Sequence, residues 1–288
     1  MQIGIGLPAH IPGVKGELLL EWAALADKGT FSSLGILDRL VYPNYEPLIT
    51  LAAAAGATRR IRLMTTVMIA PLRNPVMLAK QAASLDALSG GRLTLGLGVG
   101  GREDDFHAVA APFHRRGKHF EEQLTAMQRV WSGQSLNEQT GAIGPAPARS
   151  GGPEVLIGGY SPMALRRVGK WGDGIILGGS MKPDVARQFF GVAQEAWQAG
   201  GRSGKPRLVC CIYYGLGPDA ATGVAQTIRH YYSFLEARAE ALVASIPTTE
   251  TAVREAIHAF ADIGADELVL WPCIADSEQL HRLADVVS

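Results

Sequence analysis

PLRNPVMLAKQAASLDALSGGRLTLGLGVGGREDDF, residues 71–106, leaves the end of an apolar strand, runs into a helix and turns tightly at Gly90 and Gly91. It returns as the strand-like RLTLGLG and opens into a glycine-rich mouth with a burst of charge. Two nucleotide-binding architectures compete for it. Gly96, Gly98 and Gly101 satisfy G-x-G-x-x-G, the fingerprint of a dinucleotide-binding unit. In that unit the third glycine lies inside the helix that receives a diphosphate. Here Gly101 is followed by Arg102, Glu103, Asp104 and Asp105, so carboxylates crowd the place of the phosphates. The run also follows earlier strand–helix units instead of opening the first. A polar loop just past a buried strand is where barrel enzymes keep their chemistry, and the charged mouth after RLTLGLG fits that pattern.

Working outward, apolar runs bounded by turn residues fall at 2–7, 33–37, 61–70, 93–98, 154–157, 174–177, 208–215 and 267–271, each followed by a helical pattern. In the first helix, 17–28, Leu18, Trp22 and Leu25 share one face. The helix over 76–88 carries a stripe of Leu78, Ala82, Leu85 and Leu88, with Asn74 as N-cap, Pro75 at its first position and Gly90 past its end. Strands alternating with helices imply parallel pairing. Eight such units in 288 residues predict an α/β fold, a closed (β/α)8 TIM barrel, which typically needs about 250 residues. No linker-like stretch breaks the rhythm, so a single domain over 1–288 is expected.

Hydrophobic residues make up 47% of the chain and charged residues 19%, a composition that buries a large core and is not that of a disordered chain. The 27 basic and 27 acidic residues cancel, which leaves no electrostatic footprint for nucleic acid or an acidic membrane. MQIGIGLPAH reads as a strand and not as a signal peptide, and no run is long enough to span a bilayer. A cytoplasmic enzyme is expected. Cys210 and Cys211 are neighbours on a strand and should face opposite ways, as small core residues rather than a redox pair. The histidines show no metal-ligand spacing with carboxylates, so no metal site is expected.

IGGYSP at 157–162 is the best ligand signal. Gly158 and Gly159 end a strand and let the backbone approach a ligand closely. Ser161 reads as an N-cap and Pro162 as the start of a helix over 163–170. The free amides and dipole at that helix N-terminus, with the Ser161 hydroxyl, suit a phosphate; the alternative is a capped helix with nothing bound. Gly178 and Gly179 at the next strand mouth would keep the pocket open.

Three stretches, EWAALADKGTFSSLGILDRL (21–40), TRRIRLMTTVMIAPLRNPVMLAKQAASLDALSGGRLTLGLGVGGREDDF (58–106) and VLIGGYSPMALRRVGKWGDG (155–174), resemble the bacterial luciferase-like family of flavin-dependent oxidoreductases and monooxygenases. The resemblance implies a barrel that binds reduced FMN, or the 8-hydroxy-5-deazaflavin coenzyme F-420, at its C-terminal mouth. It places the cofactor phosphate on Gly159, Tyr160, Ser161 and Met163. It also implies a non-prolyl cis peptide at Thr66–Val67, on a bulged third strand behind the ring, where the residues alone favour an ordinary β-branched strand. A cofactor-contacting aspartate of the family matches Asp38. Gly158 and Gly178, with Gly100, Gly101 and Asp104 past the fourth strand, complete the cofactor-binding candidates. The chain departs from the pattern twice. Arg39 stands where several members carry a catalytic histidine, and arginine cannot shuttle a proton at neutral pH. Gly101 stands where deazaflavin dehydrogenases carry a glutamate. Arg39 is read as holding an anionic substrate or the negatively charged reduced ring, or else as a salt-bridge partner of Asp38 or Asp104. His10, just past the first strand, is the remaining proton-transfer candidate.

These readings lead to an FMNH2-using monooxygenase acting on a small-molecule substrate, with a separate flavin reductase as the partner it would draw on. The alternatives are F-420-dependent hydride transfer without oxygen, and a flavin-binding protein that has lost catalysis. A homodimer is expected, with the alanine-rich helix 49–57 as one interface candidate. The aromatic pattern of Tyr231, Tyr232, Phe234 and Leu235 is another, unless it caps the site. Residues 141–153 are read as a flap or a connector; Tyr213, Tyr214 and Trp271 as a pocket lining or barrel core.

Overall fold

Each of the eight apolar runs forms a strand, with every boundary within one residue of its sequence expectation. The computed structural model describes residues 1–287. The strands are β1 (Gln2–Gly6), β2 (Ser33–Ile36), β3 (Arg62–Ile69), β4 (Leu93–Gly98), β5 (Glu154–Gly158), β6 (Gly174–Leu177), β7 (Arg207–Tyr214) and β8 (Glu267–Pro272). All pair in parallel in chain order, and β8 closes on β1 through Gln2↔Glu267 to Ile5↔Leu270. The surrounding helices are α1 (Gly16–Lys28), α2 (Pro47–Ala57), α3 (Pro75–Leu88), α4 (Glu103–Ala108), α5 (Arg116–Trp131), α6 (Pro162–Leu165), α7 (Val168–Trp171), α8 (Pro183–Ala199), α9 (Ala220–Tyr231), α10 (Ala237–Ser245), α11 (Glu250–Asp262) and α12 (Glu278–Val287).

Strand parity divides the core in two. Cys210 and Tyr214 of β7 face the helices, whereas Cys211 and Tyr213 face the barrel interior with Met64, Leu156, Ile176, Val269 and Trp271. The vicinal cysteines therefore do point apart, and burial pushes both thiols up, away from thiolate chemistry. Tyr213 and Trp271 belong to the interior; Tyr214 packs outward and donates its hydroxyl to Gln279 O at 3.1 Å. Trp271 fits because β1 offers no side chain opposite it: a Cβ on Gly6 would lie 2.2 Å from Trp271 Cδ1 and 3.0 Å from its Cα.

A polar layer built at the starts of strands closes the N-terminal end of the barrel. Glu267, fully buried, accepts from Ser33 Oγ at 2.6 Å, from Ser32 and from Arg207. Arg207 also holds Glu154, which accepts from Thr94 Oγ1 at 2.7 Å and Arg62 Nη2 at 3.2 Å. Charges taken out of water must be paired in this way.

α3 starts as its sequence dictates, with Asn74 Oδ1 accepting from Val76 N at 3.0 Å and Met77 N at 3.1 Å. Its stripe ends early, however. Leu88 is 82% exposed, because by the last turn the inner face has rotated onto Asp86. Asp86 Oδ2 accepts from Ala148 N at 2.8 Å, and Lys80 Nζ donates to Gly144 O at 2.7 Å. The 141–153 segment thus runs along α3 as a connector and is not a flap over the mouth.

Candidate active site at the barrel mouth

The mouth is shaped by β3. Its pairing with β4 jumps from Thr65↔Leu95 to Met68↔Leu97, so Thr66 and Val67 together oppose one residue and form a bulge. The peptide between them is cis, as the resemblance implied. The Thr66 hydroxyl turns inward, donating to Ile36 O at 3.0 Å and accepting from Trp271 Nε1 at 3.2 Å. Val67 also packs against the interior cluster, on the side of β4 and β5. Its methyls seat against three glycines, where a Cβ on Gly96, Gly98 or Gly158 would lie 3.3, 3.0 or 2.8 Å away. A Cβ on Gly159 would meet that of Ala164 at 2.5 Å. A Cβ at Gly158 or Gly159 would therefore collide with Val67 or Ala164, so packing alone already demands glycine at both positions. A Cβ on Gly178 would lie 3.2 Å from Trp271 Cη2, and one on Gly179, at φ +72°, 3.3 Å from the Tyr160 hydroxyl.

The helix expected over 163–170 is two four-residue turns, α6 and α7, interrupted at Arg166 and Arg167. So short a helix carries little dipole, and the expected dipole support for a phosphate falls away. Ser161 does cap α6, accepting from Ala164 N at 3.2 Å. Tyr160, Ser161 and Met163 stand exposed on the rim, and the first-turn amide of Met163 has no intrahelical partner.

The β2 end is held by two carboxylates. Asp38 accepts from Ile69 N at 2.8 Å and from both Nη atoms of Arg73 at 2.7 and 3.2 Å. Its side chain is closed off by these bonds, and the salt bridge considered between Asp38 and Arg39 does not form. Asp105, fully buried in α4, accepts from Leu40 N at 3.1 Å and Val41 N at 2.8 Å and pairs with Arg102. Asp104 also faces Arg102, at 3.6 Å, and not Arg39. Gly100, at φ +71°, packs under Ile69, whereas Gly101 faces open space.

Arg39 is 9% exposed and has no carboxylate in contact among the described residues. Its Nη1 donates to Tyr231 O, the last residue of α9, at 2.5 Å. The guanidinium lies over Tyr42 at 4.5 Å and over Tyr231 and Phe234 at 5.5 Å, while Arg102 approaches Phe234 from its own side at 5.4 Å. Burial, and then repulsion by Arg102, lower the Arg39 pKa, although an arginine remains cationic at neutral pH. Tyr231, Tyr232 and Phe234 thereby lie across the mouth, with Tyr232 Oη 3.1 Å from that of Tyr213.

His10 sits beneath this aromatic cover, 2% exposed, with its ring 5.6 Å from Tyr213 and 5.7 Å from Tyr231. Burial lowers its pKa from 6.5 to about 4, against a smaller upward pull from the backbone of Leu7 and Pro272. Those carbonyls lie close by but complete no well-formed hydrogen bond, and both ring nitrogens remain unpartnered, as does Nε of Arg39. Buried polar groups without partners are uncommon and costly. A neutral imidazole and a buried cation, each with an unpartnered nitrogen under the same aromatic cover, fit a flat, polar, negatively charged ring such as a reduced flavin. Among the described residues no group of three or more metal-ligating side chains comes together, and no helix is long and apolar enough to cross a membrane.

Sequence reasoning placed the candidates on the C-terminal rim, following β1 to β6, but missed Tyr42, Arg73, Arg102, Asp105 and His230. Arg102 and Asp105 carry a readable signal, the i, i+3 spacing beside an apolar Phe106. Arg73 and His230 carry none.

A model of the luciferase-like monooxygenase family matches residues 1–279. An uncharacterized protein of Mycobacterium tuberculosis is 31% identical over 207 residues, covering 62% of this chain and 71% of that one. An F420-dependent secondary alcohol dehydrogenase, solved with an F420-acetone adduct, superposes with a TM-score of 0.82 at 17% identity, covering 99% of this chain and 97% of that one. A type II Baeyer–Villiger monooxygenase component encoded on the CAM plasmid of Pseudomonas putida, solved with FMN, gives 0.73 at 17% identity, covering 100% and 97%. At such identities these structures speak for the fold. The family match, spanning nearly the whole barrel and every mouth residue described above, makes this chain a member of the luciferase-like monooxygenase family.

Proposed function

We propose that the protein holds reduced FMN at the barrel mouth and, with oxygen, oxidises a small organic substrate. The observation that carries this reading is the buried Arg39 guanidinium without a carboxylate, set beside the unpartnered His10 ring. Bound FMN would supply the electrons. The chain's own residues provide the surroundings. Val67 and the β3 bulge form a wall for the ring. Arg39 and Arg102 supply positive potential where the reduced ring is negative. Tyr231, Tyr232 and Phe234 keep water out. Ser161 and the Met163 amide stand at the rim, where a phosphate would emerge.

With its pKa near 4, His10 is a neutral imidazole at pH 7, able to exchange hydrogen bonds but not to act as a ready acid. This, with Arg39 and Gly101 in place of an acid–base pair, favours oxygen use over F-420-dependent hydride transfer to or from an alcohol, which requires a proton relay. A separate flavin reductase would deliver the reduced FMN.

The test is to titrate the apoprotein with FMN and with F-420, each oxidised and anaerobically reduced, and then to admit air. Preferential binding of reduced FMN followed by oxygen uptake supports the proposal. Selective binding of F-420 replaces it with hydride transfer, binding without turnover points to a protein that has lost catalysis, and failure to bind either ends the flavin reading.

A further inference from the structure

We infer that the outward face of α2 joins two copies of this chain, packed antiparallel across a twofold axis that passes between Ala52 and Ala53. The helix is apolar on every side, and its knob, its hollow and its end charges are set symmetrically about that one point.

α2 turns Leu48, Leu51, Ala54 and Ala55 to the core and leaves Ile49, Ala52, Ala53, Gly56 and Ala57 outside. No charged residue lies within it, and its one hydroxyl, on the buried Thr50, donates to Glu46 O at 2.8 Å. A helix that is apolar all round is normally a buried one. α11, packed on the same barrel, instead exposes Glu250, Arg254, Glu255 and Asp262. Ile49 is 73% exposed, and the flanking helices α1 and α3 add the exposed Leu20 and Met77. Gly56 has no reason within the chain. A Cβ there would meet nothing within 4 Å, its φ is not left-handed, and glycine is the poorest helix former after proline.

A second copy accounts for these features together. Ile49 and Gly56 lie about 10 Å apart along the helix, with Ala52 and Ala53 midway. In an antiparallel pair Ile49 of each copy faces the partner's Gly56, so the exposed knob meets the open hollow twice, as a self-complementary interface requires. The central alanines let the two backbones approach closely. Glu46 and Arg59 share the same midpoint. Arg59 is exposed, and its guanidinium reaches only the carbonyls of Gly56 and Thr58, at 3.5 and 3.1 Å. Arg73 lies between Asp38 and Glu46, so these three side chains leave one negative charge at the start of α2. Antiparallel pairing brings that charge to the end where the partner's Arg59 lies. A parallel pair would set like charges together and Ile49 against the partner's Ile49.

Sedimentation velocity of the full chain at micromolar concentration is expected to give about twice the 30.6 kDa mass of one copy. Ala53→Glu sets two carboxylates against each other near the axis and should weaken association about 100-fold or more, with the far-ultraviolet dichroism unchanged. Arg59→Glu should weaken it about tenfold at low salt and less at high salt. Should a charged variant fail to fold, Ala53→Cys keeps the test, because the three native cysteines are all buried. Mild oxidation should join two copies of Ala53→Cys through a disulfide. It should not join Val185→Cys, whose exposed position on α8 lies on the opposite side of the barrel. A monomer at every concentration, a dimer that Ala53→Glu leaves intact, or cross-linking at Val185→Cys in place of Ala53→Cys would overturn the inference.

Discussion

Asp105 is the side chain through which α4 holds the loop that carries Arg39, so its removal should be felt in stability and at the mouth together. In Asp105→Ala two backbone amides, Leu40 and Val41, lose their acceptor, and Arg102 loses its buried partner. Bonds to a charged group contribute about 1.5–3 kcal/mol each. Breaking one half of a buried ion pair costs about 3–5 kcal/mol in total, and the second figure is used because the contributions overlap. The Arg102 side chain is 13% exposed, so water recovers little of the loss. At about 2–4 °C per kcal/mol for a chain somewhat smaller than this one, the melting temperature should fall by roughly 10 °C. Asp105→Asn keeps an acceptor for the amides and discards only the charge, and should recover about half of the drop. Thermal melts followed by circular dichroism measure both variants. A melt of Asp105→Ala within about 2 °C of the parent would refute the reasoning, because less than 1 kcal/mol would then be at stake.

Other substitutions probe the rest of the barrel. Gly6→Ala sets a Cβ 2.2 Å from Trp271 Cδ1 and 3.0 Å from its backbone Cα, which cannot yield, and should destabilise by about 3 kcal/mol in chemical denaturation. Gly158→Ala meets the Val67 methyls at 2.8 and 3.3 Å, with Leu97 O at an ordinary 3.4 Å; a loss of about 1–3 kcal/mol is expected, and Val67→Ala in the same chain should relieve part of it, a coupling that a double-mutant cycle reads directly. His10 sets a pH dependence. Its folded pKa, about 4, lies below the unfolded 6.5, so its contribution is fully present above 6.5 and lost as pH falls from 6.5 towards 4. That loss amounts to up to about 3 kcal/mol at 1.36 kcal/mol per pKa unit. His10→Gln should flatten the melting-temperature profile over that window, and an unchanged profile would show that another group sets it.

Much of the barrel was legible because its signals are local. Strand ends are marked by turn residues, Asn74 and Pro75 announce α3, and parity alone separates Cys210 from Cys211. The mouth was legible only in position. Asp38 was matched by resemblance to a cofactor-contacting aspartate, and nothing in the sequence announces its bond to Arg73, 35 residues away. Arg39 finds Tyr231 across 192 residues, a distance over which no periodicity speaks. The glycines at 158 and 159 look the same in sequence whether they serve a ligand or a neighbouring side chain; the close packing of Val67 and Ala164 against them is visible only in the fold. The helix over 163–170 has one continuous pattern, yet Gly169 of its second turn lies against Ala196 O of α8, a contact that residue spacing does not reveal.

Closure of β8 on β1 joins the barrel strand that is made first to the barrel strand that is made last. Until Glu267–Pro272 has been made, β1 has no neighbour on one side, and its backbone groups there stay unpaired. At bacterial-to-eukaryotic elongation speeds that interval is on the order of 10–60 s, long compared with hairpin or helix formation. An unpaired strand edge invites pairing with other chains, and glycine is a poor strand former. QIGIG, with glycine at every second position, is a weak template for such pairing. Gly6, which makes room for Trp271, thus also leaves the waiting edge with little to offer a neighbouring nascent chain.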